Sequence, residues 1–389
     1  MKKNILLVSG LVLLVVFAFS LFFLSPPGRF VSHKNGKTLR VRIARDADSA
    51  DISSPALCEV IKPSTGEIIL RGFDVKEESK VRIFGEKILV GNKSFREQVI
   101  KISPRNRSGF FFNGIKYRGN LDLIRDGRSF SVINRVDLED YLKGVVSREV
   151  HSLWPMAALK AQAVASRSYA VYEAARRKNL PYDLTADTFT QVYGGRTAER
   201  SRTTSAVVTT AGEVLKYKGK LIPGYFHSSC GGHTTSVSKV WGGADIEPLS
   251  GRRSPYCRWT PAFRWRARVS SALILDKLNS SGYTLDRIDN IRVGKVDVSG
   301  RLEYVRVKSR NKWFEVPIRD FRGAIGRRTL KSSNFCIRKY PLFYDFNGYG
   351  WGHGVGMCQW CAFGLSLRRW DYIDILDFFY PGSVVVDME

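Results

Sequence analysis

The chain has 389 residues, 44% of them hydrophobic, with 62 Lys and Arg against 36 Asp and Glu, a formal net charge of +26 at pH 7. So much apolar residue in so long a chain excludes an intrinsically disordered protein and suits a folded chain of two domains. The charge would draw anionic polymers or a lipid surface.

Lys2 and Lys3 precede residues 5–25, which are apolar apart from Ser9, Gly10, Ser20 and the closing Ser25, the length of one bilayer crossing. A cleaved signal peptide has a shorter apolar core and a small-residue cleavage site, which Leu21-Phe-Phe-Leu-Ser-Pro-Pro lacks. Residues 1–28 are therefore predicted to be an uncleaved signal-anchor with the start of a tether. The basic flank keeps the N-terminus in the cytoplasm, so the chain is expected to be a single-pass protein of the inner membrane with its bulk on the extracytoplasmic side. That placement, and the lack of a nucleic-acid-binding motif, argue against a nucleic-acid partner. Residues 29–130 alternate apolar and polar positions, as in Leu39-Arg-Val-Arg-Ile and Lys80-Val-Arg-Ile-Phe, and predict a β-rich part. Residues 131–389 read as a mixed α/β domain with an insertion at about 262–335. The fold class is α+β.

The densest signal lies at 147–170. Asp137 is a plausible N-cap for a helix with apolar residues at Leu138, Tyr141, Leu142 and Val145. Trp154-Pro155 can open a second helix, rich in alanine from 157 to 175. Glu149 then falls in the elbow between them, where Val150 and Trp154 would desolvate a carboxylate and raise its pKa. Lys160 and Arg167 are seven residues apart and share a helix face.

Four separated motifs carry a family resemblance: Leu159-Lys-Ala-Gln-Ala-Val-Ala-Ser-Arg-Ser-Tyr169, Gln191-Val-Tyr-Gly-Gly, Tyr225-Phe-His-Ser-Ser-Cys-Gly-Gly and Gly350-Trp-Gly-His-Gly-Val-Gly-Met-Cys-Gln. In this order they resemble the SpoIID/LytB family of bacterial cell-wall proteins over about 130–385. The family's serine-glutamate pair before Trp-Pro is interrupted here as Ser147-Arg148-Glu149. The resemblance implies a peptidoglycan lytic transglycosylase acting on glycan strands that an amidase has stripped of stem peptides. Glu149 would be its catalytic acid and base, since the sugar's own 6-hydroxyl attacks the anomeric carbon and a second carboxylate is not needed. The rivals are a LytB-like, non-catalytic enhancer of an amidase and a structural envelope protein. Substrate contacts are expected from Trp154, Lys160, Arg167, Gln191, Tyr193, Trp351 and His353, with Lys160 or Arg167 near Glu149 or a substrate oxygen.

Glycines at 348, 350, 352, 354 and 356 occupy every second position. An extended strand would leave one face bare, for a sugar ring against Trp351 or for a packing contact in which His353 is a core histidine. Some members of the family hold zinc at a His/Cys cluster, which implies a metal site of His227, Cys230 and Cys257 with His233 as a further candidate. Cys230 and Cys257 could equally form a disulfide. Cys358-Gln-Trp-Cys361 has the C-x-x-C form without a redox βαβ context and reads as a local disulfide or two buried thiols.

Overall fold

The computed structural model describes residues 36–76 and 79–388. The expected signal-anchor lies outside them. Among the described residues no helix is long and apolar enough to cross a membrane.

The N-terminal half is built on two sheets. Seven strands run in the order Leu184–Thr185, Thr38–Ala47, Ser129–Asp137, Asn120–Asp126, Val99–Pro104, Cys58–Ile61 and Ile68–Phe73. Six more run Ile115–Tyr117, Phe110–Phe112, Ser49–Ser53, Ser79–Phe84, Lys87–Val90 and Lys93–Phe95. Alternate residues such as Leu39, Val41, Val81, Ile100, Ile102 and Val132 are buried in one core, as period-2 patterning requires. That core also holds Leu142, Val145 and Leu159 from the first helices. The expected boundary at 130 therefore falls inside the strand Ser129–Asp137, and sheet and helices share one interior.

This strand delivers α1 (Leu138–Glu149). Asp137 caps it, accepting hydrogen bonds from the N–H groups of Glu139 and Asp140. Helix α1 ends at Glu149 because Val150 is extended, and Pro155 keeps the residue before it out of the helical region. Helix α2 (Met156–Arg176) follows at once. It is buried almost all round, from Ala158 and Leu159 to Tyr169 and Ala174, so its alanines are small because neighbours crowd every face. On one side lies the first core. On the other lies a second, where Ala161, Val164 and Ala165 meet Val355, Met357, Leu365, Ile375 and Tyr380.

Helices α3 (Ser201–Thr209), α4 (Val237–Trp241), α5 (Ser271–Ser280), α6 (Ile318–Ile325), α7 (Gln359–Ser366) and α8 (Tyr372–Phe379) complete the helical set used below. The inserted subdomain runs further than expected. Its entry strand Arg264–Ser270 pairs antiparallel with its exit strand Phe343–Tyr349, from Arg264 opposite Tyr349 to Ser270 opposite Phe343. Between them Trp265, Ile274, Leu278, Val305, Val316, Phe321 and Phe346 make a core of their own. The end predicted near 335 marks only the start of the strand Phe335–Lys339 inside this subdomain.

The glycine-rich segment departs from expectation. After Tyr349 the chain leaves the sheet, and Gly350, Gly352, Gly354 and Gly356 have φ of +78°, +107°, +90° and +68°. Side chains rarely adopt that region, and an alternating pattern cannot distinguish it from a strand. The segment winds against residues 225–231: a Cβ on Gly350 would stand 2.6 Å from the Ser229 carbonyl.

Candidate active site and cysteine cage

Glu149 is the last residue of α1, half-buried where α1, the elbow, the 191–194 loop and the start of α7 meet. Its Oε1 accepts a hydrogen bond from the Val192 N–H at 3.0 Å, and the side chain of Gln359, first residue of α7, also bonds it. Desolvation pushes its pKa up to about 7, against the opposing pull of these two hydrogen bonds. Among the described residues no cation and no second carboxylate is among the groups that shift it. Arg148, the interruption in the motif, is exposed and lays its aliphatic stem along Gly194.

Aromatic side chains build a wall beside the elbow. Trp154 lies 5.0 Å from the rings of both Trp360 and Phe363, and exposed Trp259 extends the group, 5.7 Å from Phe363. Flat, half-exposed rings next to a poised carboxylic acid suit a sugar face. Arg202 holds the elbow in shape through hydrogen bonds to the carbonyls of Ser152 and Trp154.

The other expected substrate contacts are distributed differently. Gln191 is buried, accepting from the Tyr141 hydroxyl at 3.1 Å and donating to the Ser166 carbonyl. Tyr193 is buried against Tyr141, with its hydroxyl on Asn134. The two anchor the loop that aims the Val192 N–H at Glu149 and do not line an open surface. Lys160 and Arg167 do share a helix face, but it turns toward the strand Glu213–Tyr217. Lys160 lies over the Tyr372 ring, and fully buried Arg167 forms a two-pronged ion pair with Glu139 at 2.8 and 2.7 Å and also donates to the carbonyls of Glu213 and Val207. Neither cation stands by Glu149, because seven-residue spacing fixes which side chains share a face and not where that face points.

Trp351 is exposed, with the Lys331 ammonium 4.6 Å from its ring. His353 is tied at both ring nitrogens: Nδ1 accepts from the Val355 N–H and Nε2 donates to the Phe226 carbonyl. Burial lowers its pKa to about 4, so it is a neutral packing residue beside Trp241 and Tyr225.

The expected metal set is half assembled. Cys230 and Cys257 meet, yet their partners are Cys358 and Cys361: all four sulfurs lie within 4.8 Å of one another, all buried. His227 is not among them; its Nδ1 donates to the Val355 carbonyl at 3.1 Å. His233 is engaged with the Thr234 carbonyl. The C-x-x-C pair is legible in the sequence, but the register that brings it to Cys230 is tertiary, a parallel pairing of Phe226–His227 with Met357–Cys358. Gln359, Trp360, Val192 and Trp259 were likewise not singled out by sequence. Val192 and Gln359 lie within two of the four motifs and Trp360 within the C-x-x-C pair, without a role that the sequence gives them; no sequence signal points to Trp259.

Comparisons with known proteins agree with the family resemblance, and the first two of the four motifs lie within the matching family profile. The family profile described as Stage II sporulation protein matches residues 126–217, and a profile for a domain of unknown function matches 255–356, the inserted subdomain and its flanks. An uncharacterized protein of Brachyspira hyodysenteriae is 38% identical over 287 residues, covering 72% of this chain and 75% of that protein. The amidase enhancer of Bacillus subtilis is 30% identical over 292 residues, 63% of this chain, which thus spans only 40% of the enhancer's length. Stage II sporulation protein D of Bacillus subtilis is 26% identical over 274 residues, 66% of this chain and 76% of that protein.

Proposed function

The chain belongs to the SpoIID/LytB family of cell-wall proteins, and from that premise we propose that it is a peptidoglycan lytic transglycosylase whose single acid and base is Glu149. The observation that carries this reading is a lone carboxyl group with a pKa near 7 beside an aromatic wall. At neutral pH about half of such groups hold a proton, and an acid of that strength can both give and retake it.

The chemistry needs one proton moved out and one moved back. Glu149 gives its proton to the glycosidic oxygen as the bond to the anomeric carbon breaks, so the leaving sugar departs as an alcohol. The Val192 N–H and the Gln359 amide then stabilise the carboxylate. The 6-hydroxyl of the remaining muramic sugar attacks the anomeric carbon, its proton returns to Glu149, and a 1,6-anhydro end results. Trp154, Trp360 and Trp259 hold the sugar faces in this reading. The substrate is a glycan strand on the extracytoplasmic side, cleared of stem peptides by an amidase.

The name of the amidase enhancer among the relatives favours a second reading, in which the aromatic wall grips the glycan and a separate amidase does the chemistry. One experiment separates the two. Peptide-free glycan strands are incubated with the protein and examined by mass spectrometry: anhydro-muramic ends that vanish in Glu149→Gln while glycan binding persists support the enzyme. Intact strands with the wild type, together with faster release of peptides by an added amidase, support the enhancer.

A further inference from the structure

The cage of Cys230, Cys257, Cys358 and Cys361 lies outside the machinery proposed for the glycan and calls for its own explanation. Cys230 Sγ is 3.6 Å from Cys257 Sγ and 3.7 Å from Cys361 Sγ. A disulfide would need about 2.05 Å. A zinc ion held by four thiolates at about 2.3 Å sets the sulfurs about 3.8 Å apart on the edges of a tetrahedron, which matches these two pairs, and no two of the four sulfurs are more than 4.8 Å apart.

Two features beyond spacing fit thiolates. Backbone N–H groups point at the sulfurs: Cys230 and Cys361 donate to Cys358 Sγ at 3.2 and 3.4 Å, and Gly232 donates to Cys230 Sγ at 3.3 Å. The second is Arg301, which reaches out of the inserted subdomain and is buried at 3% exposure. Its guanidinium donates to the carbonyls of Cys230 and His233 and to the Ser299 hydroxyl, its Nε has no partner, and no carboxylate forms an ion pair with it among the described residues. Asp297 is close enough for its charge to favour the guanidinium, but its oxygens are taken by the Arg301 backbone N–H, Ser299 and Thr235. A buried cation without a directly paired counter-charge is costly. Zinc with four thiolates carries a net charge of about −2 and supplies it. Gly354 makes the room, since a Cβ there would collide with the guanidinium.

We propose that these four cysteines bind one zinc ion as a closed tetrathiolate, stapling residues 228–233, the turn at 255–257 and the start of α7, with Arg301 as its buried counter-cation. A closed set of four protein ligands leaves no open position for substrate, so the ion is structural. The assignment is independent of whether Glu149 cleaves glycan. It differs from the His-containing set that family resemblance implied, because the clustered ligand atoms are four sulfurs without His227, and the two extra thiols come from the C-x-x-C pair.

The test is metal content and coordination of the purified full chain. We expect about one zinc per chain by elemental analysis, and, after exchange, the intense visible absorption of tetrahedral cobalt thiolate. Cys361→Ser should lose the metal, whereas Cys336→Ser, at an exposed cysteine outside the cage, should keep it. Arg301→Leu should weaken zinc about 10- to 100-fold in competition with a chelator; unchanged affinity would overturn the counter-cation role. If Cys361→Ser does not fold, the wild-type metal content and cobalt spectrum still decide. Iron in place of zinc, two disulfides by mass, or four alkylatable thiols in metal-free folded protein would each overturn the proposal. The last outcome would mean that Cys230 and Cys361 are protonated and donate to the Ser254 carbonyl, 3.2 and 3.4 Å away.

Discussion

At the first turn of α1, Glu139 meets Arg167 through two hydrogen bonds and receives the Gly212 N–H as well. At the last residue of the same helix, Glu149 meets one backbone N–H and one amide, and no cation. Both carboxylates leave water, but only the first is compensated in charge. The compensated one joins α1, α2, α3 and the strand Glu213–Tyr217 and can do little else. The uncompensated one keeps its proton near neutrality and stays available for transfer. Within one helix, therefore, the partner separates a structural glutamate from a chemical one.

Exchanging the two roles by mutation tests this contrast. Glu149→Gln should cut glycan cleavage by about 10²- to 10⁴-fold with the fold intact, read as anhydro-muramic product per unit time. Arg167→Ala should do the reverse, costing about 3–5 kcal/mol in urea unfolding because Glu139 and the carbonyls around it lose their buried cation. An equal loss of stability in Glu149→Gln would break the comparison.

The pH dependence sharpens it. The Glu149 carboxyl titrates near 4.5 in the unfolded chain and near 7 when folded, so the folded state holds the extra proton between these values. Its burden on stability is absent below pH 4.5, grows as pH rises, and is complete above 7, at up to about 3 kcal/mol. The stability gained by Glu149→Gln over wild type should grow across that window, and glycan cleavage should decline as pH passes 7. The smallest effect is expected from Trp259→Ala: the residue is exposed, so stability should hold while glycan affinity drops by about 1 kcal/mol, a roughly fivefold rise in Kd.

What the sequence revealed follows from range. Asp137, the alanine-rich helix and Trp154-Pro155 are local signals, and they were enough to put Glu149 at an elbow. The bond from Val192 and the ion pair of Arg167 depend on how α1, α2 and the 191–194 loop pack, so neither was legible. Glycines at alternate positions were plain to see, but a strand and a run of left-handed turns look alike on paper. The cysteines failed in the same way: a C-x-x-C pair was visible, but its partners lie more than a hundred residues earlier.

The inserted subdomain enters and leaves through paired neighbouring strands, the arrangement of a module that could be swapped or removed without disturbing its host. Arg301 denies it that freedom, since the module lends a charge to a cage whose four sulfurs all belong to the host. Removal of the module would strand the cage, and loss of the cage would strand the arginine. Arginine, glycine and cysteines should therefore be inherited as a set, so that relatives with another residue at the place of Arg301 also lack the cysteines and are free to refill the place of Gly354.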